Sequence, residues 1–421
     1  MITRLAVGIV SLSLPLSLPF VLAATLLAAP VKPDDRQAVL ELNTITGNAA
    51  ILGKIDELSK MPDTAKKLVK TGAELAKQKD SPLGYNSALI LGQLAEKFKL
   101  TDEGLALYKH LGQLAVKRGS NRGVATALLG MVELNTQAGK HEEAEKNCLE
   151  IIRLRTDEED PLDNIKSLAF RRMILAIARQ GKSERALGII DDEIKAQPRN
   201  FLMRALKAQL FMELKKYDDA VAAYKEVIEN VESLEGVDKS TRDELADDYR
   251  YILSAVYTEA GKPDKAIEVL RELLKRHPDN PGYNNDLGFI LADNDKELEE
   301  AERLIRKALE EDRKARAKAA GGSLPKDDKD NASYLDSLGW VLFKRGKAKE
   351  AKPYLERAVQ DPRGQHLEIF DHLGDVHMAL GEVEAALAAW KKGLETATDS
   401  VRDQKRKLNV EKKIREAMKK K

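Results

Sequence analysis

The feature that most constrains the fold of this 421-residue chain is a set of small and bulky residues that recurs about every 34 positions. In the clearest copy, Gly339 is followed twelve residues later by Ala351 and sixteen residues later by Leu355. An equivalent set starts at Gly374. Glycine inside a helix costs about 1 kcal/mol relative to alanine, so its repeated use needs a structural reason. The spacing predicts paired helices that approach closely at the small residues and stack on neighbouring pairs.

Eight copies of this pattern can be aligned along the chain. They lie at or near Leu91, Met131, Ile174, Ala208, Ser254, Gly288, Gly339 and Gly374. A ninth, degenerate copy is predicted at Leu52-Gly53, with Ala65 and Val69 in its second helix. We therefore expect an all-α chain with eight or nine helical hairpins between residues 34 and 398, clearest at 247–312 and 332–398.

These residues resemble the tetratricopeptide repeat, a 34-residue helix-turn-helix unit with small residues at its eighth and twentieth positions. The resemblance covers about residues 45 to 398. The last three copies, which contain LGF, LDSLGWVLF and DHLGDVHMALG, are similar to a subtype common in exported bacterial repeat proteins. The resemblance implies a right-handed α-solenoid of tandem repeats that binds protein segments.

Residues 1–23 are predicted to be a signal peptide. No charged residue occurs from Leu5 to Leu27, and Val21-Leu22-Ala23 offers small residues for cleavage before Ala24. The alternative is an uncleaved membrane anchor at residues 5–27, because this segment is long enough to span a bilayer. Pro15 and Pro19 interrupt a spanning helix and favour cleavage. Either reading predicts an exported chain, periplasmic or extracellular, in a bacterial envelope.

Composition narrows the classes of partner. The chain carries 70 basic and 69 acidic residues, a formal net charge of +1, so no overall field attracts it to nucleic acid or anionic lipid. We therefore expect a protein or peptide partner and no nucleic acid, and membrane attachment only through an uncleaved N-terminal segment. The single cysteine, Cys148, excludes an intrachain disulfide framework.

Three segments depart from the repeat period. Residues 229–241 and 313–331 are predicted to be surface excursions, the second of which first lengthens a helix and then forms a loop. Residues 399–421 carry ten basic and four acidic residues. Val410, Ile414, Ala417 and Met418 fall on one helical face, which predicts a capping helix over the final repeat. The alternative for this tail is a basic arm that binds anionic lipid or another polyanion.

A search for catalytic motifs gives no candidate enzyme site. The Gly181-Lys182-Ser183 tripeptide lacks the upstream glycine of a phosphate-binding loop, since Ala176 stands there. His372 and His377 are five residues apart, and His377 occupies a position that neighbouring repeats fill with core residues. Cys148 aligns with core positions and is predicted to be buried. We predict no catalytic residue, metal ligand or cofactor, and thus a non-enzymatic interaction scaffold.

The residue after the small position is predicted to face the inner side of the repeat array, together with the residue four positions before it. The six candidate partner-binding residues are Asn285, Phe289, Asp336, Trp340, Asp371 and Asp375. The lysine and asparagine clamp of some relatives is absent here. Two aromatic rings among carboxylates favour an extended partner segment with apolar anchors and lysine or arginine. The alternative is that Phe289 and Trp340 only pack against the next repeat.

Overall fold

The computed structural model describes residues 33–156, 161–325, 328–398 and 400–419. These residues form twenty α-helices and two short 3₁₀ helices, with no strand among them. The predicted signal peptide, residues 1–23, lies outside the described residues. Within the described ranges, no helix is both long and apolar enough to cross a membrane.

The chain divides into two compact units, the first ending at Met173 and the second beginning at Ile174. The helices of the first unit are α1 (Pro33–Glu41), α2 (Asn48–Ser59), α3 (Pro62–Ala76), α4 (Tyr85–Lys97), α5 (Thr101–Lys117), α6 (Asn121–Gln137) and α7 (His141–Arg153). Helix α8 (Asp163–Arg179) contains the boundary.

The second unit contains the remaining helices. They are α9 (Ser183–Ala196), α10 (Phe201–Glu213), α11 (Tyr217–Glu232), α12 (Lys239–Glu259), α13 (Pro263–Arg276), α14 (Pro281–Asp293), α15 (Leu298–Ala319), α16 (Ala332–Lys344), α17 (Ala348–Gln360), α18 (Leu367–Ala379), α19 (Val383–Thr396) and α20 (Val401–Lys419). Consecutive helices pair as hairpins from α4 to α7 in the first unit and from α10 to α19 in the second, which confirms the predicted all-α fold of tandem helical hairpins. Gly346 and Gly381, at φ of 76° and 79°, make the turns in the last two hairpins.

The small residues of the first helices accommodate bulky side chains of the second helices. A Cβ added to Gly339 would lie 2.5 Å from Cγ of Leu355, and one added to Gly288 would lie 2.6 Å from Cγ1 of Ile305. The predicted close approach is therefore confirmed. The side chain that fills the space over Gly339 is Leu355, whereas Ala351, expected to face it, is buried four residues earlier.

The degenerate ninth copy is wrong in its first helix. Leu52 is 62% exposed, and a Cβ added to Gly53 would meet no atom within 4 Å. Helix α2 instead buries Ile51 and Leu58, so its apolar side is turned away from the expected position. Ala65 and Val69 in α3 are fully buried. The spacing from Gly53 to Val69 is present, but Val69 does not pack over Gly53, so the spacing alone does not define this hairpin.

Both internal excursions begin as helical extensions. Residues 229–241 extend α11 to Glu232 and begin α12 at Lys239, so the expected loop is short. Residues 313–331 continue α15 to Ala319 before the chain returns to α16. Asp330 fixes this return, because it accepts hydrogen bonds from Arg313 and Arg357, both at 2.6 Å. Hydrogen bonding from Arg313, reinforced by Arg357, lowers the pKa of Asp330 to about 2.

Buried Tyr108 of α5 and half-buried Glu96 of α4 form a pair in the first unit. The Tyr108 ring lies where a Cβ on Gly92 or Gly130 would stand, and its hydroxyl donates a hydrogen bond to Glu96. Burial raises the pKa of Glu96 from 4.5 to about 7, although the Tyr108 hydrogen bond opposes the shift. The charged form of Glu96 is therefore disfavoured in the folded state.

We expect Glu96→Gln to flatten the pH dependence of thermal stability between pH 5 and pH 8. The raised pKa means that Glu96 contributes its full stability below about pH 4.5 and loses it as pH rises through about 7. Glutamine cannot ionise, so the variant should melt at a higher temperature than the parent at pH 8 and close to it at pH 5. Melting curves followed by circular dichroism across this range test the prediction, and parallel curves for the two proteins would contradict it.

Candidate functional site

The six predicted partner-binding residues lie in pairs on three first helices of the second unit. Asn285 and Phe289 belong to α14, Asp336 and Trp340 to α16, and Asp371 and Asp375 to α18. Members of each pair are four residues apart and therefore share a helical face. Helix α16 packs against both α14 and α18. We call the surface formed by these six residues the α14–α16–α18 surface.

Within this surface, His372 of α18 contacts residues of the other two helices. Its ring stacks on the Trp340 indole, with centroids 4.0 Å apart and planes tilted by 14°. The Phe289 ring lies 6.4 Å away, centroid to centroid. The Nδ1 atom of His372 lies 2.8 Å from Oδ1 of Asp336. Burial alone would lower the pKa of His372, but the charge and hydrogen bond of Asp336, with Glu368, raise it above its ordinary value.

Trp340 is both a packing residue and a surface residue. One face of its indole meets His372 of the next repeat, and Phe343 stacks beside it at 5.4 Å between centroids. The Lys344 ammonium lies 5.4 Å from the ring centroid. Trp340 and Phe289 are half-buried, so each keeps part of its ring accessible to solvent. Packing against the next repeat and partner contact are therefore compatible in this geometry.

Three carboxylates of α18 contact basic side chains of α20. We call Glu368, Asp371 and Asp375 the acidic group. Lys413 Nζ lies 2.6 Å from Asp371 and 2.7 Å from Asp375. Arg406 lies 2.6 Å from Glu368 and 3.1 Å from Asp371. Burial, followed by the charge of Asp371, raises the pKa of Asp375, and Lys413 opposes this shift.

Helix α20 also covers apolar side chains of the last repeat. Val410 and Ala417 are buried against Leu367, Ala386 and Trp390, with Ile414 and Leu394 at the edge of the cluster. The predicted capping face is right for these three residues of α20. It is wrong for Met418, which is 59% exposed because it lies next to Ala417 and outside the contact.

Three of the six candidate residues are closed to solvent in this conformation. Asn285, Asp336 and Asp371 are buried, whereas Phe289, Trp340 and Asp375 are half-buried. The sequence-based search did not assign His372, Arg406 or Lys413 to the surface. Arg406 and Lys413 stand seven residues apart on either side of Val410. This spacing places both basic residues on the predicted capping face, and it could have indicated that they contact the last repeat.

Other reactive side chains serve packing. Cys148 is fully buried, as predicted, and burial raises the pKa of its thiol to about 12. His377 is also buried, and its Nδ1 atom lies 2.5 Å from Oε2 of Glu382. Across the part of the chain that the structure describes, no group of three or more histidine, cysteine, aspartate or glutamate side chains could hold a metal ion.

Comparisons with known proteins agree with this architecture. Tetratricopeptide-repeat family models match residues 173–234, 257–324 and 331–361. A TPR repeat-containing protein of Pseudomonas aeruginosa is 32% identical over 129 residues, which is 29% of this chain and 19% of that relative. The match thus spans about a fifth of the curated relative's length. These features define an α-helical repeat protein. The matched residues are tetratricopeptide repeats.

Two solved structures are similar to this chain, and the first shares its fold. Yeast Tom70 superposes with a TM-score of 0.51 at 15% identity, over 92% of this chain and 79% of that one. A tetratricopeptide repeat protein from Parabacteroides merdae gives a TM-score of 0.44 at 16% identity, over 68% of this chain and 98% of that one. This fold supports a role as a protein–protein interaction scaffold.

Proposed function

We propose that this chain is an exported, non-enzymatic scaffold that binds a segment of a partner protein on the α14–α16–α18 surface. The observation that carries the proposal is the combination of two partly accessible aromatic rings with a carboxylate cluster on adjacent first helices. Phe289 and Trp340 offer apolar area, and the acidic group already binds a lysine and an arginine of the same chain. Aromatic anchors beside charged partners are typical of the energetically dominant part of an interface.

The chemistry of the surface favours a partner with apolar and basic side chains. Contact between a cation and an indole ring stabilises a complex by about 0.5–2 kcal/mol. The Lys344 ammonium makes such a contact with Trp340 within the chain. The carboxylates of the acidic group favour a partner with lysine or arginine and disfavour an acidic partner. The Trp340–His372 stack holds the indole in one orientation, which reduces the entropy lost when a partner binds.

Trp340→Ala is expected to weaken partner binding by at least about tenfold, because a central tryptophan anchor typically contributes about 2 kcal/mol or more. The partner is first identified by affinity capture from native envelope extract with the parent protein, and the purified partner is then titrated against each variant. Only Trp340 is changed. Asp336, one turn earlier on the same face, is buried, and introducing a lysine there would disturb the fold.

Ile252→Ala is the matched control, because Ile252 is a 40% exposed apolar residue on the first helix of another repeat. It should leave partner affinity unchanged. Equal affinity of the parent and a folded Trp340→Ala variant would remove Trp340 from the binding surface and leave its stacking on His372 as its only role.

We also propose that the chain acts in a bacterial envelope, as a periplasmic or extracellular protein released by cleavage before Ala24. This rests on the uncharged segment from Leu5 to Leu27. The alternative is a membrane-anchored assembly factor that keeps residues 5–27. Mass spectrometry of the mature N-terminus distinguishes the two, because a chain that starts at Ala24 has no anchor.

A further inference from the structure

Helix α20 covers the acidic group of α18, and its contacts show which side chains the acidic group can bind. We propose that the acidic group is a receptor for a basic amphipathic helix, that α20 occupies it in the free protein, and that a partner helix with the same spacing replaces α20. The inference rests on the proposed function and names the partner class for the acidic part of the α14–α16–α18 surface. It replaces the extended segment expected there with a helical one.

The contacts of α20 define the side chains that such a helix needs. Arg406, Val410, Lys413 and Ala417 follow one another at intervals of four, three and four residues, so they lie on one helical face. The two basic residues reach the carboxylates of α18. The two apolar residues are buried against the last repeat, beside Trp390. A helix with two cations seven residues apart and small apolar residues between and after them reproduces every one of these contacts.

The contacts of α20 favour its replacement by another helix. Of its apolar side chains, Leu408 and Met418 are 67% and 59% exposed, and Val410 and Ala417 are the ones fully enclosed. Ion pairs to Glu368, Asp371 and Asp375 add to this limited apolar contact. The pair between Arg402 and Glu368 is the most exposed of them and weakens most as salt rises. Only four residues separate the end of α19 at Thr396 from the start of α20 at Val401. This tether gives α20 an effective concentration of about millimolar, so an identical free helix cannot compete until α20 is weakened.

A labelled peptide of residues 400–421 provides the probe, and the full-length protein is used throughout. The opened variant carries Arg406→Glu and Lys413→Glu, which place two acidic residues against the acidic group. It should bind the peptide about tenfold or more tightly than the parent in fluorescence anisotropy, because its own helix no longer competes. Adding Asp371→Asn and Asp375→Asn to the opened variant should abolish that gain.

The matched control carries Lys412→Glu and Arg415→Glu, the same charge change on the exposed face of α20. It should bind the peptide as weakly as the parent. The inference is overturned if the parent, control and opened variant bind the peptide equally, or if the added asparagines leave the affinity of the opened variant unchanged.

Hydrogen exchange on the parent protein tests the same inference without any substitution. Amides of α20 are expected to exchange before those of α18 and α19, and faster at high salt, because α20 opens as a separate unit. Equal, salt-independent protection of α18, α19 and α20 would show a fixed cap and overturn the inference. Neither experiment changes Trp340, so failure here is distinguishable from failure of the proposed partner-binding surface.

Discussion

Replacing Gly339 with leucine is expected to lower the free energy of unfolding by about 3 kcal/mol, because overpacking a close helix contact strains both helices. Even the first added carbon would lie 2.5 Å from Cγ of Leu355, which is the branch point of that side chain rather than its flexible far end. Urea denaturation followed by circular dichroism measures the loss. Hydrogen exchange should show that the C-terminal repeats open before the N-terminal ones, since repeat arrays respond locally.

Gly53→Leu is the matched control, because Gly53 also lies inside a helix but an added Cβ meets no atom within 4 Å. This variant should gain about 0.5–1 kcal/mol from the better helix propensity of leucine. Opposite signs for the two substitutions separate the effect of close packing from the general effect of replacing glycine. If both variants unfold like the parent, the contact between Gly339 and Leu355 does not limit stability.

Deletion of residues 399–421 is expected to cause aggregation and to cost about 3 kcal/mol of stability. Trp390 is 2% exposed in the full chain, and its cluster with Val410 and Ala417 would open to water. Burial of a large apolar side chain contributes about 1.5–3 kcal/mol, and an exposed apolar patch favours association. Static light scattering and thermal melting of the truncated protein measure the two effects.

Leu408→Ser provides the comparison for this deletion, because Leu408 is 67% exposed on the same helix and should tolerate a polar residue without change. A truncated protein that is as soluble and stable as the parent would mean that the tail is a free basic arm. Binding to anionic vesicles that falls with salt would then be the expected behaviour of the tail.

The repeat architecture could be predicted from sequence because its cause is local. A small residue, a following alanine and a bulky residue sixteen positions on recur within single hairpins, and each hairpin carries its own evidence. Gly339 and Leu355 illustrate this, since their contact is made by two helices joined by a three-residue turn. The Leu52-Gly53 error has the same origin, because Val69 stands at the expected spacing from Gly53 but does not pack over it.

The candidate site could be predicted only in part because its key contacts join different repeats. Trp340 and Asp336 meet His372 across a separation of more than thirty residues, and Asp371 meets Lys413 across 42. Repeat spacing gives the face on which a residue lies but not which side chain of the next repeat reaches it. The sequence therefore predicted the helices of the surface and missed that α20 covers the acidic group.

The fit between small residues and bulky side chains affects which first and second helices pair during folding. Gly288 faces an isoleucine, Gly339 a leucine and Gly374 a tryptophan, at intervals of seventeen, sixteen and sixteen residues. Tandem segments of similar sequence can pair wrongly while they fold, and such errors are characteristic of repeat proteins. A space shaped for leucine excludes an indole, so each first helix discriminates against the second helices of other hairpins. Differences in side-chain size among the repeats therefore disfavour pairing between helices of different hairpins. Duplication of a whole hairpin preserves this match, because the small residue and its bulky partner are copied together.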